Sequence, residues 1–160
     1  MKKINFLMTF LILSGCTSVV TLDKKNNDRS SGYSETLVSD NIMEVFYSSK
    51  RNQSLEKTKD LLLLSSAKLT TDNGYKFFKI ISEDIKKIDK ENKKPVDIYS
   101  DYYRHEFWIH DIEVVQIDKY HIYEGNQKIM LSNKNEEGYL EASKIKETLM
   151  SKYKGNLVIK

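Results

Sequence analysis

The chain has 160 residues, of which 39% are hydrophobic and 31% are charged, a balance typical of one folded domain. Removing the first fifteen residues, which hold Lys2 and Lys3, leaves 24 basic against 23 acidic residues. That near-neutral charge excludes a nucleic-acid binder driven by bulk charge. A single cysteine excludes an internal disulfide framework and a cysteine-based zinc cluster.

The N-terminus combines a basic start with a short apolar run. Residues 4–13 are apolar except for Asn5 and Thr9. A helix of ten residues is too short for a hydrocarbon core of about 30 Å, which needs roughly 20 residues. We therefore predict that residues 1–15 are a signal peptide, the alternative being a buried N-terminal strand or helix.

The only cysteine lies directly after that run. The motif Leu13-Ser14-Gly15-Cys16 resembles the lipobox of bacterial lipoproteins. The resemblance implies that Cys16 is the first mature residue, with diacylglycerol on its sulfur and usually a further acyl chain on its amine. Two or three chains anchor a protein stably in membrane lipid. Thr17, where the Gram-negative sorting rule would place an aspartate for inner-membrane retention, favours the outer membrane, facing the periplasm.

The segment after the cysteine is polar. Residues 16–32 are rich in Ser, Asn, Lys and Asp, with Val19, Val20 and Leu22 as the apolar exceptions. This composition predicts a flexible tether. We place a single folded domain at residues 33–154 and a C-terminal tail at residues 155–160.

The first half of this domain predicts a hairpin and a long helix. Residues 36–38 and 43–47 are β-prone runs around a turn at 39–41. Ser54 is a suitable N-cap and Asn73-Gly74 a suitable helix end. Between them Leu61, Leu62 and Leu64 are expected to pack into the core.

The second half predicts further strands and a closing helix. Residues 75–82 form a strand, and the charged residues 83–95 form a solvated helical turn or a long loop. Strands are expected at 107–117, 120–123 and 128–131, with a turn at Gly125-Asn126, and an amphipathic helix at 139–153. The order β-β-α-β-insertion-β-β-β-α predicts an α+β fold, with two main helices on one face of an antiparallel-rich sheet.

Four stretches of the chain carry a family resemblance. They are the Gly-Tyr-Ser-Glu-Thr start at 32–36 with the residues up to 46, the leucine-rich stretch at 59–70, Gly-Tyr-Lys-Phe-Phe at 74–78, and the close at 139–153. Together they resemble a family of small bacterial lipoproteins of unknown function. Between 80 and 138 the chain is longer and more charged than the family pattern. The resemblance implies a tethered α+β domain and brings no catalytic residue, ligand or partner.

Chemically reactive groups are few. His110 and His121 could meet across a hairpin beside Asp111 or Glu113, which would suit Zn or Cu or a hydrolytic periplasmic enzyme. The alternative is that they are ordinary surface histidines. Serines lack a base at an interpretable spacing, and the glycines form no phosphate loop. We therefore predict no catalytic residue, metal or cofactor, and favour a non-enzymatic binding or scaffold domain.

An aromatic concentration follows the charged stretch. It consists of Tyr99, Tyr102, Tyr103 and Trp108 with Arg104, residue types that are enriched at binding hot spots. Such a segment could contact an envelope protein, a peptide or a glycan. Packing within the sheet is the alternative, because half-buried strands favour aromatic residues.

Overall fold

The computed structural model describes residues 20–25, 31–96, 114–153 and 157–159. Within these ranges the chain forms a five-stranded antiparallel sheet in the order β2-β3-β5-β4-β6, a two-stranded parallel sheet of β1 and β7, and two helices. The expected α+β class is confirmed. The elements are β1 Val20–Leu22, β2 Gly32–Ser39, β3 Ile42–Ser48, α1 Leu55–Asp72, β4 Phe77–Val96, β5 Val114–Ser132, β6 Leu140–Glu141, α2 Ala142–Lys152 and β7 Leu157–Ile159.

The β2–β3 hairpin forms where the sequence predicts it. Its strands pair from Gly32↔Ser48 to Ser39↔Ile42 around the turn at 40–41. Met43, Val45 and Tyr47 alternate along β3 and are buried, as expected for a strand with one face on the core. The burial of Tyr47 raises the pKa of its hydroxyl.

Helix α1 confirms both predicted ends. The Ser54 side chain accepts a hydrogen bond from the Lys57 backbone N–H at 3.3 Å, and Asn73 caps the C-terminus. Leu61, Leu62 and Leu64 are fully buried against the sheet, as predicted. The longest described helix is thus fixed by its N-cap and by its leucine cluster.

Helix α2 packs beside α1. It spans Ala142–Lys152 and buries Ala142 and Leu149, whereas Met150 is 44% exposed. Two residues before it, Leu140 and Glu141, pair with Phe78 and Phe77 as strand β6 instead of joining the helix. The two helices are also joined through their polar side chains at the end of α2, where Lys152 donates to Glu56 and Asp60, and Tyr153 donates to Asp60.

A buried polar network links α1 to the sheet. The Ser66 hydroxyl donates to Gln127 Oε1 at 2.6 Å, and Gln127 Nε2 donates to Glu83 Oε2 at 2.6 Å. Both Ser66 and Gln127 are buried. Because their polar atoms are mutually satisfied, the network sets the position of the helix over β5 without an uncompensated polar group.

The charged stretch at 83–95 is a strand, so the expected helical turn or loop is wrong. Strand β4 continues to Val96 and pairs with β5 without interruption from Ser82↔Lys128 to Val96↔Val114. Charged residues are tolerated on both faces because most side chains described in this stretch are exposed. Lys87 pairs with Asp89 at 3.0 Å, and Lys119 pairs with Glu91 across the strands at 3.4 Å.

Strand β5 is also continuous from Val114 to Ser132, so the strands expected at 120–123 and 128–131 are one strand and the turn expected at Gly125-Asn126 is wrong. The same strand includes residues 114–117 of the strand expected at 107–117, whose residues 107–113 lie outside the described ranges. Gly125 lies opposite Ile85 on one side and Tyr47 on the other. A Cβ at this position would lie 2.8 Å from Leu62 Cδ2. The glycine therefore serves close packing of α1 on the sheet, a role that glycine also has inside strands.

The predicted tether and tail are wrong for residues 20–25 and 157–159. Strand β1 pairs in parallel with β7, from Val20↔Leu157 to Leu22↔Ile159. Leu22 is completely buried, and Lys24 forms a bridge to Tyr33. Leu22 thus belongs to the folded core, because burying its side chain removes apolar surface from water.

Candidate functional site

The site residues predicted from the sequence lie almost entirely outside the described residues. This holds for Cys16 and His110, and for the aromatic group of Tyr99, Tyr102, Tyr103, Arg104 and Trp108. His121 is described and lies in β5. The structure therefore places one of these residues, and the chain segment 97–113 connects β4 to β5.

The most distinctive surface of the described chain is the part of the β4–β5 ribbon that leaves the sheet, here called the arm. It comprises residues 87–96 and 114–123, joined by ten successive cross-strand pairs. At a rise of about 3.3 Å per residue, ten pairs extend roughly 30 Å. In the described ranges β3 ends its pairing with β5 at Glu124, and β6 pairs with β4 only at Phe77 and Phe78, so the arm carries no third named strand.

The base of the arm is held by the loop that connects β3 to α1. Ser49 exchanges hydrogen bonds with the Tyr123 backbone, and Asn52 exchanges hydrogen bonds with the His121 backbone. These four bonds, between 2.8 and 3.1 Å, prolong the hydrogen-bonded edge of β5 by one short stretch. Asn52 adopts a φ of 52°, the left-handed region that asparagine tolerates better than most residues.

A cleft of about 270 Å³ lies at this base. Its walls come from the loop and from both strands of the arm, and it is open to solvent. It is lined by Asn52, Asp89, Lys90, Glu91, Lys119, Tyr120 and His121.

Most charged side chains of the cleft form ion pairs, Glu91 with Lys119 inside the cleft and Asp89 with Lys87 outside it. Asp89 is opposite His121 in register, yet its carboxylate pairs with Lys87. The His121 ring packs edge-on against Tyr123, with ring centroids 5.4 Å apart. Among the described contacts no carboxylate orients the imidazole. General-base catalysis by histidine commonly uses a carboxylate that holds the ring in place.

Arg51 contacts the arm beside the cleft. Its guanidinium carbon lies 3.9 Å from the centre of the Tyr120 ring, and its Nη2 donates to Asp118 at 2.6 Å. A cation over an aromatic face is attracted by the ring quadrupole. The arrangement stiffens the arm near its base and neutralises Asp118.

Across the described ranges, no three His, Cys, Asp or Glu side chains lie close enough together to hold a metal ion. The surface of the arm carries hydrogen-bonding, charged and aromatic groups.

The distal part of the arm combines exposed apolar groups with unpaired lysines, a feature that the sequence analysis missed. Ile117 is 50% exposed and Val115 is 39% exposed. In the described structure Lys93 and Lys94 are exposed and form no salt bridge. The sequence contains one signal for this surface, the excess of lysine over acidic residues at 83–95. That excess alone does not show which lysines lie near Val115 and Ile117, because their positions depend on the strand register.

No protein-family model, curated protein sequence or solved structure matches this chain. The resemblance to the lipoprotein family consequently stays a prediction from the sequence. None of the helices in the described ranges has the length and hydropathy needed to cross a bilayer.

Proposed function

We propose that the protein is a lipid-anchored, non-enzymatic binding protein of the bacterial envelope, held at the outer membrane and facing the periplasm. The observation that carries the proposal is the position of the only cysteine, Cys16, directly after Leu-Ser-Gly and a ten-residue apolar run with a lysine start. A run of this length suits a signal peptide and not a membrane span. Acylation of Cys16 would supply the stable anchor that two or more chains provide.

The arm is the binding element in this proposal. A two-stranded ribbon without further packing is marginally stable in water, so an arm of ten residue pairs gains stability from whatever it contacts. Its base offers Tyr120, His121 and Tyr123 beside charged residues, a mixture of aromatic and charged groups suited to an envelope protein or a glycan.

Anchoring is tested by metabolic labelling with palmitate and by membrane fractionation of the full chain expressed in a bacterium. The native chain should incorporate label and sediment with membranes, and Cys16→Ser should lose both properties. Thr17→Ser is the matched control, since it changes a neighbouring hydroxyl residue and keeps the sulfur. Label and membrane association that persist in Cys16→Ser would refute the anchor.

Binding by the arm is tested by cross-linking in intact cells followed by affinity purification. Paired substitutions Tyr120→Ala and Tyr123→Ala should remove a specific partner while leaving the membrane association unchanged. Leu37→Ala, at an exposed apolar site of β2, is the control that should retain the partner. If the arm variant keeps every partner of the native chain, the arm is not the binding element.

A further inference from the structure

We propose that the distal part of the arm lies on the anionic phospholipid surface in which Cys16 is anchored. The proposal rests on the proposed anchoring of Cys16 and adds the orientation of the domain and a second contact with lipid. The residues that would make this contact are Val115, Ile117 and Lys93 on one face of the ribbon and Lys94 on the other, so the end of the ribbon enters the headgroup layer with both faces in contact.

The first step is the short reach of the anchor. Strand β1 begins at Val20 and is pinned by its pairing with β7 and by the complete burial of Leu22. Four Cα–Cα steps separate Val20 from Cys16, and fully extended chain spans at most about 3.6 Å per residue. The acylated residue therefore lies no more than roughly 14 Å from the folded domain.

The second step is the direction in which the N-terminal segment leaves. The Lys24↔Tyr33 bridge is parallel, and Tyr33 lies near the start of β2. Moving backward from Lys24 along the chain therefore leads toward the sheet end that contains Gly32. Gly32 pairs with Ser48, and Ser48 pairs with Glu124, next to the start of the arm. The end of the sheet that contains Gly32 is therefore the end from which the arm extends.

The third step compares the length of the arm with the greatest reach of the chain from Lys24 to Cys16. Lys24 is level with Tyr33, and Tyr33 is level with Gly125 through Tyr47. From that level the arm continues for eleven residues to Val114, which is about 36 Å at the usual strand rise. Cys16 is eight residues from Lys24 and can extend at most about 29 Å in the same direction. The arm thus reaches at least as far as the lipid anchor.

The fourth step is the chemistry of the distal arm. In register Ile117 is opposite Lys93, and Val115 is its neighbour on the same face two residues away. Lys93 beside these exposed apolar side chains suits the boundary between headgroups and acyl chains, because its stem contacts apolar groups while its ammonium group meets phosphates. Lys94, which is opposite Gln116 on the other face, adds a second positive charge at the same end of the arm. Nearby acids are already neutralised, Asp118 by Arg51 and Glu91 by Lys119, which leaves a positive surface for an anionic leaflet.

The test measures which end of the sheet contacts lipid. The full mature lipoprotein carries one added cysteine, at Gln116 in the arm or at Asp40 in the β2–β3 turn, labelled with a fluorophore. The native Cys16 is blocked by its thioether. The protein is reconstituted in vesicles of phosphatidylethanolamine and phosphatidylglycerol that contain a lipid with a nitroxide on its headgroup.

We expect quenching of the label at residue 116 of about two-fold or more, with little quenching at residue 40, since headgroup contact requires close approach. Replacing Lys93 and Lys94 with Glu should abolish most of the quenching at residue 116. The control variant carries Glu at Lys59 and Lys134, which gives the same net charge at positions off the arm, and should quench like the native chain.

Equal quenching at both positions, or stronger quenching at residue 40, would overturn the proposal. So would quenching at residue 116 that is unaffected by the arm charge reversal. The mass of the purified protein separates this failure from that of the proposed function. An unacylated chain refutes the anchor itself, whereas an acylated chain with an unquenched arm label refutes only the membrane contact of the arm.

Discussion

Substitution of Gly125 by alanine should destabilise the domain through a single buried clash. The added methyl group would lie 2.8 Å from Leu62 Cδ2 and 3.4 Å from Ile85 Cγ1. Favourable carbon–carbon contacts begin near 3.5 Å, so the completely buried Leu62 must move into an already packed neighbourhood.

The size of the effect follows from two opposing contributions. Overpacking of one methyl group typically costs about 1–3 kcal/mol. Replacing glycine by alanine also restricts the unfolded chain, which returns about 0.4–1 kcal/mol because the φ of Gly125 is not positive. We therefore expect Gly125→Ala to lower the free energy of unfolding by about 0.5–2 kcal/mol.

A double-mutant cycle with Leu62→Ala isolates the clash. Leu62→Ala alone should cost about 2–5 kcal/mol as a buried leucine truncation. In the double variant the clash disappears, so its loss should be smaller than the sum of the single losses by about 1–2 kcal/mol. Equilibrium denaturation in urea measures all four proteins.

The control cycle pairs Gly125→Ala with Leu37→Ala, whose side chain is 64% exposed at the far end of the sheet. That pair should be additive within about 0.5 kcal/mol. Additivity in the Leu62 cycle would refute the packing role and would favour the turn that the sequence predicts at Gly125.

Three further predictions concern single side chains. Ser54→Ala should cost about 1 kcal/mol in urea denaturation by removing the α1 N-cap, and Ser54→Asp should retain most of the stability. Ser66→Ala should lower the free energy of unfolding by about 1–3 kcal/mol, because it leaves the buried Gln127 Oε1 without its donor. Adding Gln127→Leu should recover part of that stability, and no recovery would contradict this explanation. Burial and the hydrogen bond to Asp60 raise the pKa of Tyr153 above its usual 10.0, so its contribution is complete below pH 10 and is lost at higher pH as the unfolded tyrosine ionises. Thermal unfolding between pH 8 and 11 should therefore show a shallower alkaline decline for Tyr153→Phe than for the native chain, and parallel curves would contradict the assignment.

Elements with local signals could be predicted from the sequence. Ser54, Asn73 and the leucines between them define α1 almost to the residue, since capping and apolar patterning act within a few turns. The β2–β3 hairpin follows similarly from its turn and from the alternation in β3.

Elements that depend on distant partners could not be predicted. Strand β1 pairs with β7 across nearly the whole chain, and no local pattern in residues 20–22 specifies residues 157–159. The strand at 83–95 shows no alternation, because nearly all of its described side chains are exposed, with Ile85 and Ile88 half-buried, and period-two patterning reflects one buried face.

The candidate site was predicted least well for the same reason. The sequence indicates His121 as a titratable residue, but the cleft is also lined by Asn52 from a loop and by Asp89 from the neighbouring strand. Their proximity follows from the strand register, which contains the bulge between Ile80 and Ser82. Residue types alone do not reveal such a register.

The most direct test of the proposed anchor is the intact mass of the protein purified from bacterial membranes. The account predicts a chain that begins at Cys16, lacks residues 1–15, and carries the added mass of a diacylglyceryl group, with or without a further acyl chain on the amine. A chain that retains Met1, or one that begins at Cys16 with an unmodified sulfur, would contradict it.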